Sequence, residues 1–460
     1  MKGMKFLAAL AIAAGAATSA QAADLYVSLN TGANGNDGSK AAPYKNLWKA
    51  LKQAQAGDVI HVAQGIYPGQ TKRGWFDVTE PVSIIGGYSD DFSQRDPIKF
   101  VTKLQPMNEN NTDQGSGKGI LNLGFENKKN VDMVIDGLTI DEAHSNTYHK
   151  AKGKPEGFEL GMLVPQGPAK GATIDDPSKE ASRPSREVAL IYIRGVYNTG
   201  SLTIQNCTFA NGDNYGILGG WPEGSVHVLN NVFVNNRMIA VEIAGAKVDQ
   251  FSKSKENLAN LEFANNTVLF TWTRTNEMSD MGYGVRCNAN FNCDFHNNII
   301  GLSVFSGVDM SKGDDKTKKA KIDNNVFFLN KRGDLSFTIS PSVKFIGVDE
   351  FEDMEGESAY KSMQGNISLK DVKAFGSKIN KNYLENFLIA SYKEKTDYDP
   401  NSAANQFRSA MGMNQVGTIQ SSVSMYANHY PVEEMYQLFG AMPKYGAQLP
   451  SGAVVKSKKR

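Results

Sequence analysis

The sequence holds only three cysteines, Cys207, Cys287 and Cys293. Three cannot staple a chain of 460 residues, so a disulfide framework is excluded as the source of its fold. An excess of charge is missing too. The 49 Lys and Arg balance 48 Asp and Glu, leaving no whole-molecule field to draw nucleic acid or a membrane surface. The apolar run Phe6–Ala17 is too short to span a bilayer, and no later stretch is long enough. Histidine is scarce, and His61, His227 and His296 lack metal-ligand spacing, which favours structural or solvated roles. No sortase motif or evident barrel anchor is present.

The first segment is a targeting signal. Lys2 and Lys5 form a basic start, Phe6–Ala17 an alanine-rich apolar stretch, and Ala20-Gln21-Ala22 the small-x-small cleavage pattern. Residues 1–22 are therefore expected to leave, giving an exported mature chain that is periplasmic, secreted or at the cell surface. Losing two lysines moves the formal charge from +1 to −1.

The fold is written in the middle of the chain. Leu202-Thr203-Ile204-Gln205-Asn206, Val226-His227-Val228-Leu229-Asn230 and Leu261-Glu262-Phe263-Ala264-Asn265 share one template. Cys293 to Asn297 and Ala320 to Asn324 repeat it, and Met133 to Gly137 is an earlier copy with Gly at the corner. Each reads apolar, any, apolar, any, Asn, with another inward residue three places on: Phe209, Phe233, Val268, Ile300 and Phe327. Alternation of two means strand. The corner asparagines lie 24, 35, 32 and 27 residues apart, the period of a solenoid whose loops absorb the variation. Asn suits such a corner because it tolerates the left-handed conformation and stacked copies can bond one another.

A second strand aligns in the same coils: Ile217 to Gly219, Val241 to Ile243, Val285 to Cys287 and Val308 to Met310, with Ile191 to Ile193 as a less regular first member. Alternation turns Tyr192, Leu218, Glu242, Arg286 and Asp309 outward, with Arg194 beside the first. Leu47, Ala50, Leu51 and Ala54 follow helical spacing and predict a cap over the first coil. The rhythm fades near Ser336, and helices are predicted over residues 379–392 and 431–439, Gly440 closing the second. The prediction is an all-β, right-handed parallel β-helix solenoid over residues 23–335 with an N-terminal helical cap. Residues 336–460 form a partly helical C-terminal cap or, alternatively, a separate domain. A monomer is expected, and the capped ends argue against end-to-end stacking.

Leu25-Tyr26-Val27-Ser28, Asn34 to Ser39, Pro43-Tyr44, Gly57-Asp58 and Gly65-Ile66-Tyr67 resemble the N-terminal signature of exported pectin-lyase-like β-helix proteins. Ile84 to Tyr88 with Arg95-Asp96 is similar to a coil of bacterial surface β-helix proteins. The resemblance implies a fold held by lyases, hydrolases, epimerases and non-enzymatic surface proteins alike.

In lyases of that fold, β-elimination needs the uronate carboxylate neutralised and a base for the neighbouring proton. Arg286 and Arg194 are the candidate catalytic residues, Arg286 as neutraliser or base and Arg194 as its assistant or, several coils away, as the holder of a neighbouring sugar. Glu242 and Asp309 are candidate substrate contacts or Ca²⁺ ligands, and Tyr192 and Tyr215 alternative proton-handling groups. Trp221 and Trp272 either stack on sugars or cover a local hydrophobic step. The charged row is equally readable as a salt-bridge ladder that needs no ligand. A hydrolase pairing of Asn111-Thr112-Asp113 with Asp314-Asp315 is rejected, because about 200 residues separate them, which is many coils. Cys287 and Cys293 both point inward across one corner and form a disulfide or remain two buried thiols. The sequence thus predicts an exported protein that binds or processes an acidic polysaccharide or cell-surface glycan, by lyase-type elimination or epimerisation if it is an enzyme. The alternative is a non-catalytic carbohydrate-binding, adhesive or structural protein.

Overall fold

The computed structural model describes residues 22–70, 74–106, 119–125, 127, 129–142, 189–194, 198–212, 214–221, 224–244, 259–273, 281–287, 291–310, 320–339, 342–356, 360–368, 373–391, 399–415 and 429–450. Residues 1–21 of the expected targeting segment, residues 144–187 and both elements of the rejected hydrolase pairing lie outside the described residues.

Among the described residues, three long parallel sheets stack coil upon coil, with ten, nine and nine strands. Each coil passes from sheet 2 to sheet 1 to sheet 3, as in Ile191–Ile193, Leu202–Gln205 and Thr208–Ala210. The next coil repeats this with Tyr215–Gly220, Ser225–Leu229 and Val232–Val234. Neighbouring strands pair parallel in the register that the apolar positions demand: Leu202 faces Val226, Val226 faces Leu261, and Leu261 faces Cys293. The sole antiparallel pair among the described strands is Gly333–Ile339 with Ser342–Ile346, at the far end of sheet 2. This is the right-handed parallel β-helix read from the repeat.

The corner between sheets 1 and 3 has a two-residue division of labour. Asn206, Asn230, Asn265, Asn297 and Asn324 all have φ between 53° and 58°, and Gly137 takes the same place at 70°. The following residues, Asn231, Asn266, Asn298 and Asn325, are fully buried. They form the ladder: Asn231 Nδ2 donates to Asn266 Oδ1 at 3.0 Å, and Asn298 Nδ2 to Asn325 Oδ1 at 2.8 Å. The stacking expected of the corner residue thus belongs mainly to its successor. Cys207 stands at the ladder position of an earlier coil, its backbone N–H donating to Asn231 Oδ1. Burial pushes its thiol up to about 12, so it is inert packing.

The core runs down the axis through Ile204, Phe209, Val228, Phe233 and Phe263, with Phe209 and Phe233 stacked at 4.5 Å. Cys287 and Cys293 form a disulfide between the sheet 2 and sheet 1 strands of one coil. Helix Leu47–Gln53 buries Leu47, Ala50 and Leu51 against the first coil. Parallel strands continue beyond residue 335, where the sequence rhythm ends, through Tyr360–Ser362 and Ile367–Ser368. Helices Lys381–Ser391, Ala403–Ala410 and Val432–Met435 then share a hydrophobic cluster with Val232, Val234, Leu269, Phe270 and Phe328 of sheet 3. Sheet 3 is covered from Leu138–Asp141 to Val326–Phe328; sheets 1 and 2 carry the polar rows.

Candidate functional site

The register of sheet 2 aligns one continuous row. Asp77 faces Asn122, Asn122 faces Tyr192, Tyr192 faces Leu218, Leu218 faces Glu242, Glu242 faces Arg286, and Arg286 faces Asp309. The alternation that put five of these residues on one face therefore describes their arrangement, and the row extends two strands further toward the N-terminus. It divides into two parts of different chemistry.

The C-terminal part is a closed ion-pair ladder. Arg286 Nε donates to Asp309 Oδ2 at 2.7 Å, and Arg286 Nη1 reaches Glu242 Oε2 at 3.5 Å. Ser336 Oγ donates to Asp309 Oδ1 at 2.8 Å, and the guanidinium lies 5.2 Å from the Tyr283 ring centroid. The three charged side chains are only 15%, 13% and 4% exposed for Arg286, Glu242 and Asp309. Burial opposes the Arg286 charge, but Asp309 and Glu242 outweigh it and raise its pKa above the ordinary arginine value. A guanidinium held protonated in this way cannot take a proton, and its charge is already spent on two carboxylates. Burial raises the Glu242 carboxyl against the pull of Arg286. Tyr215 lies within hydrogen-bonding reach of Glu242, and burial pushes its phenol up to about 12. Its hydroxyl also sits 3.4 Å from Met281 Sδ.

The Ca²⁺ expectation fails on this geometry. Glu242 and Asp309 sit on strands either side of the Arg286 strand, and the guanidinium fills the space between their carboxylates. Among the described residues no three His, Cys, Asp or Glu side chains converge as metal ligands. The tryptophan platform is corrected as well. Trp221 and Trp272 are 0% and 1% exposed and offer no face to a sugar. Trp221 Nε1 donates to the Gly200 carbonyl and its ring packs edge-on against Phe125, while Trp272 joins the cluster beneath the C-terminal helices. Both are buried just past their strands, the hydrophobic-step alternative.

The N-terminal part is open. A groove of about 290 Å³ is lined by Asp77, Asn122, Tyr192 and Arg194, with Val78 and Leu123 among its walls. Arg194 follows the strand Ile191–Ile193, is exposed, and forms no ion pair among the described residues. Asn122 Nδ2 reaches toward Asp77 Oδ1 at 3.4 Å, and its own Oδ1 accepts from the Gly119 backbone. The rows of Arg194 and Arg286 are three strands apart, about 14 Å at ordinary strand spacing, so the two cations share a face but not a site. Asp77 and Asn122 were missed because their strands, Phe76–Val78 and Leu121–Leu123, lack the corner Asn that anchored the alignment.

A family model described as "Protein of unknown function (DUF1565)" matches residues 30–90. No curated protein matches the chain. Among solved structures the chain is similar to pectate lyase Pel9A, at 10% identity over 87% of this chain and 89% of that one, with a TM-score of 0.36. It is similar to a rhamnogalacturonan lyase at 11% identity over 69% and 77% of the two chains, also at 0.36. A GH136 lacto-N-biosidase from Eubacterium ramulus aligns at 13% identity over 75% and 67%, with a TM-score of 0.18.

Proposed function

We propose that this chain, a pectin-lyase-like right-handed parallel β-helix, binds an acidic polysaccharide along the outer face of sheet 2 and grips it at the Arg194 groove. One observation carries the reading: an exposed guanidinium without an ionic partner among the described residues stands beside a tyrosine ring, an amide and a carboxylate in one open groove. A planar guanidinium pairs with a sugar carboxylate through two parallel hydrogen bonds. Tyr192 supplies an amphipathic face, and Asn122 and Asp77 supply partners for hydroxyls. The polymer would run along the solenoid axis, across strands spaced by about 4.8 Å.

Binding without turnover is favoured over elimination. The ladder at Arg286 supplies neither a free cation nor a base, and its tight pairing supports a structural role. Export is part of the same reading, since extracellular acidic glycans are the natural ligands of such a face.

The experiment is calorimetric titration with polygalacturonate, alginate and chondroitin sulfate, beside an ultraviolet assay for unsaturated uronides. Binding that weakens at least tenfold in Arg194→Ala, with no absorbance gain, is expected. Equal affinity in the variant would remove the groove from the site, and rising absorbance would restore the lyase reading.

A further inference from the structure

A second groove lies on a different sheet and is used by nothing above. On the outer face of sheet 1, Thr203 faces His227, His227 faces Glu262, Glu262 faces Asp294, and Asp294 faces Lys321. An irregularity in the last pairing, between Ala320–Asp323 and Tyr360–Ser362, brings Lys361 to the same groove. The cavity measures about 420 Å³, and Asn260 and Asn292 complete its polar lining. Leu261 and Cys293 line it too, but both side chains are buried in the core.

The charges in this groove are only partly paired. His227 Nδ1 lies 2.7 Å from Glu262 Oε2, and His296 Nε2 lies 3.3 Å from Oε1. A carboxylate only accepts, so Nδ1 of His227 is the donor, and Nε2 remains for a ligand hydroxyl. Lys321 Nζ takes Asp294 Oδ2 at 3.4 Å, leaving Oδ1 open among the described residues. Asn292 Nδ2 donates to Asn260 Oδ1, which leaves the Asn292 oxygen and second N–H and the Asn260 NH2 for a ligand. Lys361 is exposed and forms no ion pair among the described residues. The groove thus offers hydroxyl partners at each strand step and one unspent cation at the end nearest the C-terminus.

We propose that this groove is a second glycan-binding site, taking an acidic sugar polymer with its acid group on Lys361 and its hydroxyls on Asn260, Asn292, Asp294 and His227. The ligand class rests on the reading of the Arg194 groove; the groove's existence does not. The two grooves lie on separate sheets and on different coils, the first around Ile191–Ile193 and the second from Ser225–Leu229 to Tyr360–Ser362. One chain therefore holds two polymer strands, which makes it a cross-linker of an acidic matrix. Simultaneous engagement raises avidity for the matrix beyond that of either groove.

The test is titration of the full chain with oligogalacturonate, oligoalginate and chondroitin sulfate oligosaccharides, read as stoichiometry, together with light scattering of the parent polymers. Two ligands per chain are expected. Lys361→Glu and Asn260→Ala both change exposed side chains, so the fold survives. Lys361→Glu should lower the count to one, weaken its own site at least tenfold and abolish polymer cross-linking. Asn260→Ala should weaken the same site alone. A count of one in the parent chain, or an unchanged count of two in Lys361→Glu, overturns the proposal. If Arg194→Ala leaves both sites intact while Lys361→Glu removes one, the Arg194 reading fails and this one stands.

Discussion

Asn297 and Asn298 are neighbours with separate duties. Asn297 holds a φ of 57°, a conformation that glycine adopts as readily. Asn298 is buried, donates to the Phe263 carbonyl and Asn325 Oδ1, and accepts from the Asn266 backbone N–H. Asn297→Gly should therefore cost less than about 1 kcal/mol. Asn298→Ala strands several buried groups and should cost about 3 kcal/mol, both read from urea unfolding. The doublets were visible as Asn230-Asn231, Asn265-Asn266, Asn297-Asn298 and Asn324-Asn325. Corner asparagines do bond once between coils among the described residues, Asn230 Nδ2 donating to Asn206 Oδ1 at 2.7 Å, but adjacent residues of one type carry no mark of which one continues the ladder, so its longer run was assigned one residue early. Arg286 poses the same problem in charge. Alternation gives its face but not its partners, and both partners proved to be carboxylates. Arg286→Ala should destabilise the chain by about 3 kcal/mol, because two nearly buried carboxylates lose their counter-charge, and polymer affinity should stay within twofold. Arg194→Ala should show the reverse pattern, losing affinity with an unchanged melting temperature. Glu242 adds a pH signature. Its folded pKa is raised by burial, so between the ordinary value and the folded one the native state keeps a proton that the unfolded chain has lost. Stability contributed there falls as pH rises through that window. Glu242→Gln should flatten the fall, a difference visible in melts from pH 4 upward.

Sheet 3 differs from its partners because the outer face of its later strands is apolar as well as the inner one. Val232–Val234, Thr267–Leu269 and Val326–Phe328 are buried throughout, and their outer side chains meet Phe387, Leu384 and Phe375 of the C-terminal helices. Phe270, Leu302 and Leu329 even take positive φ at the following corner, an uncommon place for bulky residues. The packing of Phe270 against Tyr383 and Phe387, with ring centroids 4.9 Å away in each case, compensates that cost. The inward row was legible from the repeat, whereas the outer apolar face of these short strands was the unread signal that something must cover them. A chain ending at Ser368 should consequently bind a hydrophobic dye and aggregate, since a wide apolar face would be left in water. Phe387→Ala tests the contact without truncation. It should cost about 3–5 kcal/mol as a core cavity, measured against an unaltered far-ultraviolet spectrum.

At the scale of the whole molecule, a solenoid is a stack whose end coils would otherwise expose pairing edges. Helix Leu47–Gln53 lies against the strands Asp24–Val27, Val59–Ala63 and Phe76–Val78 at the N-terminal ends of sheets 1 and 2. The opposite end is plugged by the antiparallel hairpin and by Phe351, whose ring meets Phe327 at 5.5 Å. The period and the N-terminal cap were readable because core packing constrains inward residues in every coil. Outward residues such as Arg194 and Lys361 obey no such rule, so the grooves became visible only once the coils were stacked. The caps make a prediction about assembly that is independent of any ligand. The parent chain should elute as a monomer at all concentrations in light-scattering chromatography. Leu47→Asp places a charge where the side chain is fully buried and should lift the helix from the first coil. The exposed edges should then pair between molecules, giving a mass that grows with concentration while the strand signal persists. A Leu47→Asp chain that stays monomeric and melts as the parent does would mean that the first coil is closed by something other than this helix.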